Sequence, residues 1–172
     1  MPRYGLGDAE PEIHPDAYVH PDAVLIGNVT IGAESTVWPC AVLRGDDSGI
    51  RVGARSSVQD GAVIHCLLDT PTVIGDDCTI GHNVHIEGCE IHDWALVGSG
   101  SIVLPHAVIG RGSIVGANAM VAGGTVVPPL SMALGVPAKI REGTVAEDAN
   151  RENAEAYVER GRFYRANLRR LD

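Results

Sequence analysis

Aliphatic residues recur at every sixth position along most of this chain. Ile13, Val19, Leu25, Ile31, Val37 and Leu43 form an unbroken series. The series resumes after three extra residues at Val52, Val58 and Ile64, and after four more at Ile74, Ile80 and Ile86. One residue is then missing, and the period runs from Ile91 through Val97, Val103, Ile109, Val115 and Val121 to Val127. An amphipathic helix needs a period near 3.6 and a half-buried strand a period of two. A period of six fits a short strand plus a turn. Three such units close a triangular coil, and stacked coils make a parallel β-helix. About seven coils are expected over residues 13–142, after an N-terminal extension of residues 1–12. A β-sandwich with Gly-rich turns would not keep so strict a repeat. Gly often follows the aliphatic residue, as at Gly32, Gly75, Gly81 and Gly110. Asn28, Gly53, Asp76, Asp77 and Asn118 are expected at corners that need positive φ.

The period changes after Pro128-Pro129. Residues 143–172 are expected as a C-terminal amphipathic α-helix. Thr144 to Glu147 reads as a capping box. Ala154, Tyr157, Gly161, Tyr164 and Leu168 then fall on one helical stripe. The arginines of this segment (Arg151, Arg160, Arg162, Arg165, Arg169, Arg170) read as a solvated face. Composition agrees with a thin aliphatic core, since only 4% of the 172 residues are aromatic and 21 are Gly. The net charge of −9 argues against general nucleic-acid binding and against attachment to an anionic membrane. No apolar run is long enough to span a bilayer, and the first residues lack the apolar core of a signal peptide. Cys40, Cys66, Cys78 and Cys89 form no CxxC pair, and a chain of this size needs no disulfide framework. A reduced, cytoplasmic protein with structural cysteines is the expectation.

The register brings distant residues together. Leu25, Leu43, Ile64 and Ile86 share one position of the prism, and the residue after each points outward. Arg44, His65 and Glu87 should therefore form a column. Gln59 and Asp60 should lie one coil from Gly81 and His82. The two groups sit on different faces, so one chain cannot easily join them. A threefold homotrimer can, by packing one subunit's first group against its neighbour's second. Of the seven histidines, His65, His82 and His85 lie in the two coils where these columns meet. Two imidazoles, a third ligand and an open position make a catalytic Zn²⁺ or Fe²⁺ site. A purely structural pair of imidazoles is the competing reading. His14, His20, His92 and His106 read as surface residues.

Three segments carry a family resemblance. They are VWPCAVLRGD (Val37 to Asp46), VQDGAVIH (Val58 to His65) and IGHNVHIEGC (Ile80 to Cys89). Together with Val97–Leu104 and GVPAK (Gly135 to Lys139), they resemble the gamma-class carbonic anhydrase family of hexapeptide-repeat proteins. The resemblance covers roughly residues 11–165, and three motifs in this order are highly specific. It implies a left-handed parallel β-helix and a homotrimer with one Zn²⁺ or Fe²⁺ per subunit interface. It also implies reversible hydration of CO2 to bicarbonate by metal-activated water. By position, His65 matches the first metal-binding His, and His82 matches the one given by the adjacent subunit. Arg44 and Asp46 match an Arg–Asp pair that crosses the interface. Gln59 and Asp60 match a polar pair near the reacting water.

One departure is decisive. The family's third His should follow His82 by five residues, and this chain has Glu87 there. His85 stands two residues earlier. Both flank inward-facing Ile86 and point outward on one face, about 6–7 Å apart. Three arrangements are open: Glu87 ligates, His85 replaces the missing ligand, or no metal is held and Glu87 bonds Arg44 or an imidazole. A carboxylate ligand would make the metal a weaker Lewis acid. The insertions at Asp46 to Arg51 and Cys66 to Thr72 are short and offer Asp46, Asp47 and Asp69 but no Glu, as in the family's compact bacterial branch. Two other functions stay beside CO2 hydration. One is acyl transfer or thioester hydrolysis on CoA thioesters by a hexapeptide acyltransferase, which usually carries a long loop not seen here. The other is a non-catalytic structural or assembly subunit, for which Glu87 is the strongest argument.

Overall fold

Every member of the six-residue series from Leu25 to Val127 points into one axial column and is at most 1% exposed. This is seen in a computed structural model, which describes residues 2–172. Ile13 and Val19 in the first coil are only partly buried. Ala23, Ala41, Ala62, Ala95 and Ala119 fill the space between the aliphatic residues. The coils form a left-handed parallel β-helix of about seven turns, followed by one helix, α1 (Arg151–Asn167). Each strand pairs in parallel with the equivalent strand of the next coil. Leu43 thus stacks on Ile64 and Ile64 on Ile86, and Val37 stacks on Val58 and Val58 on Ile80. Ladder bonding up and down the stack satisfies the backbone that such short strands could not satisfy alone.

The prism has three faces. The first is built from the start of strand Val42–Val52 and from Val63–His65, His85–Glu87, Ile102–Val103 and Met120–Val121. The second comprises Thr72–Ile74, Glu90–Ile91, Val108–Ile109 and Val126–Val127. The third comprises Thr36–Val37, Ser57–Val58, Thr79–Ile80, Leu96–Val97 and Ile114–Val115. Residues Arg3–Tyr4 of the N-terminal extension pair with Leu25 and Ile26 and so add a strand to the first face.

The glycines after the aliphatic residues act differently from the corner reading. Left-handed backbone falls at Glu34, Arg55, Asp77, Trp94, Gly112 and Leu130 along the corner between the second and third faces. Asp77 and Asn118 adopt it as expected, whereas Asn28, Gly53 and Asp76 do not. The glycines are needed for close approach between coils. A Cβ on Gly32 would lie 2.4 Å from the Gly53 carbonyl oxygen. The missing residue between Ile86 and Ile91 is taken up at Gly88, which turns its corner at φ 53.

The C-terminal helix begins later than the capping box implies. Thr144 Oγ1 donates to the Arg141 carbonyl, and the Val145 N–H bonds the Leu130 carbonyl. That segment therefore still wraps the last coil. The N-cap is Asn150, whose side chain makes no capping bond. It is buried instead on the third face, where it accepts from Thr79 Oγ1 at 3.2 Å and donates to the Ala95 and Trp94 carbonyls at 3.3 Å. Tertiary anchoring sets this terminus, not a local capping signal. Leu168 lies past the helix and is exposed, and Val158 joins Ala154 and Gly161 on the buried stripe. The arginine face is partly engaged, since Arg162 pairs with Glu34 and Arg165 with Asp16 on the prism. Asn150→Ala should cost about 2 kcal/mol by leaving buried carbonyls without a donor. Urea unfolding followed at the helix band of the circular dichroism spectrum measures this.

Candidate metal centre

Parallel register places Arg44 beside His65 and His65 beside Glu87 at the end of the first face. Adjacent strands lie about 4.8 Å apart, so side chains of this column reach one another. His65 Nδ1 lies 3.2 Å from Glu87 Oε1, and His65 Nε2 lies 3.0 Å from Asp46 Oδ1. The His65 imidazole is thus held between two carboxylates. Its side chain is only 15% exposed. Arg44 pairs with Asp46 of its own chain. The two stand two residues apart on one outward edge, so the pair that the resemblance sets across subunits also forms within one chain. Burial opposes ionisation of Asp46, but hydrogen bonds from the Arg44 guanidinium, its own backbone and His65 outweigh it. They hold this carboxyl below the usual carboxylate range.

Asp46, Asp47 and His65 offer ligand atoms that all lie within 4.8 Å of one another. His82 is absent from that group. It stands at the opposite edge of the first face, where Asp60 Oδ2 lies 3.0 Å from its Nδ1. Pro39, Cys40, Gly61 and Asn83 line an open cavity of about 540 Å³ with this Asp60–His82 pair. Gln59, 4% exposed, precedes Asp60 on the same corner. His82 and Glu87 are five residues apart, up to about 16 Å along an extended chain. Between these edges runs an outward stripe of Val42, Val63, His85, Ile102 and Met120, in which Val63 and Ile102 are exposed. His85 belongs to this stripe, not to the His65 column, and its Nε2 lies 3.9 Å from Glu87 Oε2.

The donor set fits a divalent ion. His65 Nδ1 and Glu87 Oε1 stand at hydrogen-bonding distance, the contact expected of a metal-free site, and two ligands of a tetrahedral site with arms of about 2.0–2.1 Å lie about as far apart, roughly 3.3 Å. With an ion on that side, Asp46 on the other ring nitrogen would be the carboxylate that orients the imidazole. Asp60 stands in the same relation to His82 and leaves Nε2 free.

Thr72 is a supporting residue that the sequence pattern did not reveal. Its buried hydroxyl donates to the His65 carbonyl and accepts from the Gly88 N–H at 2.8 Å. It ties the loop after His65 to the turn after Glu87, and nothing in the six-residue period marks it. The cysteines offer no nucleophile pair. All four are free, and burial pushes the Cys78 and Cys89 thiols up to about 12, where they stay protonated at neutral pH.

Comparison with known proteins bears on the family and the fold. The bacterial transferase hexapeptide (six repeats) model matches residues 10–45 and 71–105. The carnitine operon protein CaiE of Citrobacter koseri is 38% identical over 170 residues, covering 98% of this chain and 86% of that protein. A Methanocaldococcus jannaschii protein named "Probable carbonic anhydrase" is 53% identical over 138 residues, covering 79% of this chain and 87% of its own. The crystal structure of a hexapeptide transferase family protein from Anaplasma phagocytophilum superposes with a TM-score of 0.90 at 33% identity, covering 95% of this chain and 98% of that one. Among the described residues, no helix is long and apolar enough to cross a membrane.

Proposed function

Because the chain belongs to the gamma-class carbonic anhydrase-like family of hexapeptide-repeat proteins, we propose that it is a metal-dependent homotrimer that hydrates CO2 reversibly at sites shared between subunits. The observation that carries this reading is the separation of its two half-sites. His65 and Glu87 converge at one edge of the first face, and His82 waits at the other with Asp60 on one nitrogen. A cyclic arrangement joins the two edges of neighbouring copies and covers the apolar stripe between them. His65 and Glu87 of one subunit and His82 of the next would hold a Zn²⁺ or Fe²⁺ ion. Such an ion supplies Lewis acidity, which makes water nucleophilic near neutral pH.

The chain's own residues do the rest. Asp46 and Asp60 orient the two imidazoles, each by holding one ring nitrogen, which would leave the other to hold the ion. Arg44 neutralises Asp46 and keeps that carboxylate from competing for the ion. Gln59 positions the attacking water by hydrogen bonding. Asp47, exposed at the rim and within reach of His65, accepts the released proton. Glu87 in place of a neutral imidazole adds negative charge to the site, so turnover should be slower than with three imidazoles. Stopped-flow CO2 hydration by the zinc- and iron-loaded protein tests this. The expected result is turnover above buffer that is lost in His65→Ala. Hydration equal to buffer with both metals would contradict it.

A second reading rests on the likeness to the hexapeptide transferase family structure. It assigns acyl transfer from a CoA thioester. Acetyl-CoA should then raise the unfolding temperature of the protein, since a ligand that prefers the native state stabilises it. No shift is expected on the carbonic anhydrase reading.

A further inference from the structure

The corner between the second and third faces takes no part in the half-sites or in the stripe between them, so it stays open in a trimer of the kind proposed. It carries a cavity of about 210 Å³ lined by Trp94, Arg111, Pro129, Leu130, Glu147 and Arg151. That is smaller than the roughly 300 Å³ of the smallest pockets for drug-sized ligands, so its occupant is a small one.

Charge pairing on this corner is uneven. Arg55 takes both Asp76 and Asp77. Asp76 Oδ1 also accepts from the Ala54 N–H. Asp93 Oδ1 accepts from the Asp76 N–H, and Glu90 pairs with His92. Asp76 and Asp77 are thereby neutralised by Arg55, Asp93 accepts a backbone hydrogen bond through one oxygen, and Glu147 has no ion-pair partner among the described residues. Arg111 and Arg151 have no ion-pair partner among the described residues, in a chain whose net charge is −9. Arg151 lies over the Trp94 ring, 5.2 Å from its centroid, which fixes where its guanidinium can point.

Two guanidiniums without partners offer planar forks that match an oxyanion. Glu147 in the same lining sets a further condition. Two positive groups and one negative leave a single net positive charge, which suits a monoanion. A carboxylate also repels bare oxygens but accepts a hydrogen bond from a hydroxyl. We propose that this corner binds a small, singly charged oxyanion bearing at least one hydroxyl, held by Arg111 and Arg151 with a hydroxyl donated to Glu147. Bicarbonate and dihydrogen phosphate are the two sources of that chemistry. The site stands on this cavity alone and does not depend on the proposed CO2 chemistry.

The test is thermal unfolding of the full-length protein against added sodium bicarbonate at mildly alkaline pH. A parallel series uses sodium phosphate at mildly acidic pH. Sodium chloride at matched ionic strength and sodium formate serve as controls. His65→Ala, which removes a ligand of the proposed metal centre, is run alongside so that anion binding there is separated from binding here. The expected result is saturable stabilisation in wild type and in His65→Ala. Its half-saturation should rise about tenfold or more in Arg111→Ala. Arg111→Lys, which keeps the charge but loses the fork, should fall between them. Formate should bind more weakly than the hydroxyl-bearing anion, and Glu147→Gln should narrow that gap. Stabilisation by only one of the two hydroxyl-bearing anions assigns the source. Stabilisation equal to that by chloride, unchanged in Arg111→Ala, or abolished in His65→Ala overturns the site.

Discussion

Glu87→Ala is expected to lower the protein's zinc affinity by more than about 100-fold, because losing a mere supporting contact to a ligand already costs 10–100-fold. Titration against a chromophoric chelator measures it. Glu87 stands in register with His65, and its Oε1 lies at ligand-to-ligand distance from the imidazole. His85 stands one column away and nearest to the other Glu87 oxygen, so it would have to displace Glu87 to serve. His85→Ala should therefore leave the affinity almost unchanged, and Glu87→His should retain an ion. A large loss in His85→Ala with none in Glu87→Ala would reverse the assignment.

Gly32→Ala is expected to cost about 3 kcal/mol, at the upper end for overpacking. The added Cβ would meet the Gly53 carbonyl oxygen at 2.4 Å, its carbon at 2.5 Å and the Ala54 nitrogen at 2.8 Å. All three are backbone atoms of the next coil, so no rotamer change relieves them. The ladder between Ile31 and Val52 must open instead. For a chain of this length the melting temperature should fall by roughly 6–12 °C. Gly5→Ala is the control. Its Cβ would meet the Glu10 side chain at 3.4 Å and the Ala9 carbonyl oxygen at 3.6 Å, both ordinary contacts, and the change should stay within about 0.5 kcal/mol. Equal losses in both variants would mean that helix stacking tolerates the added methyl at Gly32.

Much of this molecule is legible in one number, the period of six. It fixes which residues enter the axis, and through the insertions after Leu43 and Ile64 it also fixes which residues stack. The Arg44–His65–Glu87 column follows from that register, because side-chain direction in a strand alternates residue by residue. What the period does not carry is interaction at right angles to it. The helix start at Asn150 depends on carbonyls of Trp94 and Ala95, far away in sequence, and a local Thr–Glu spacing pointed elsewhere. Left-handed corners at Arg55, Trp94 and Leu130 have no Gly or Asn to announce them. Thr72 supports His65 through its hydroxyl, which is invisible in a pattern of apolar positions. The unpaired state of Arg111 emerges only from the ion pairs of the folded chain, which no pattern of apolar positions announces.

The shared centre can be tested without knowing its substrate. His65→Ala and His82→Ala should each purify as trimers without bound zinc or iron. If the two variants are mixed, partly dissociated and reassembled, each mixed trimer regains one interface with an intact His65 facing an intact His82. With equal amounts and random assembly, about one quarter of the sites should be restored. Elemental analysis of the reassembled protein should then find about 0.25 metal ions per chain. Metal content that stays at the level of the separate variants, in trimers shown by mass spectrometry to be mixed, would contradict a centre built from two subunits.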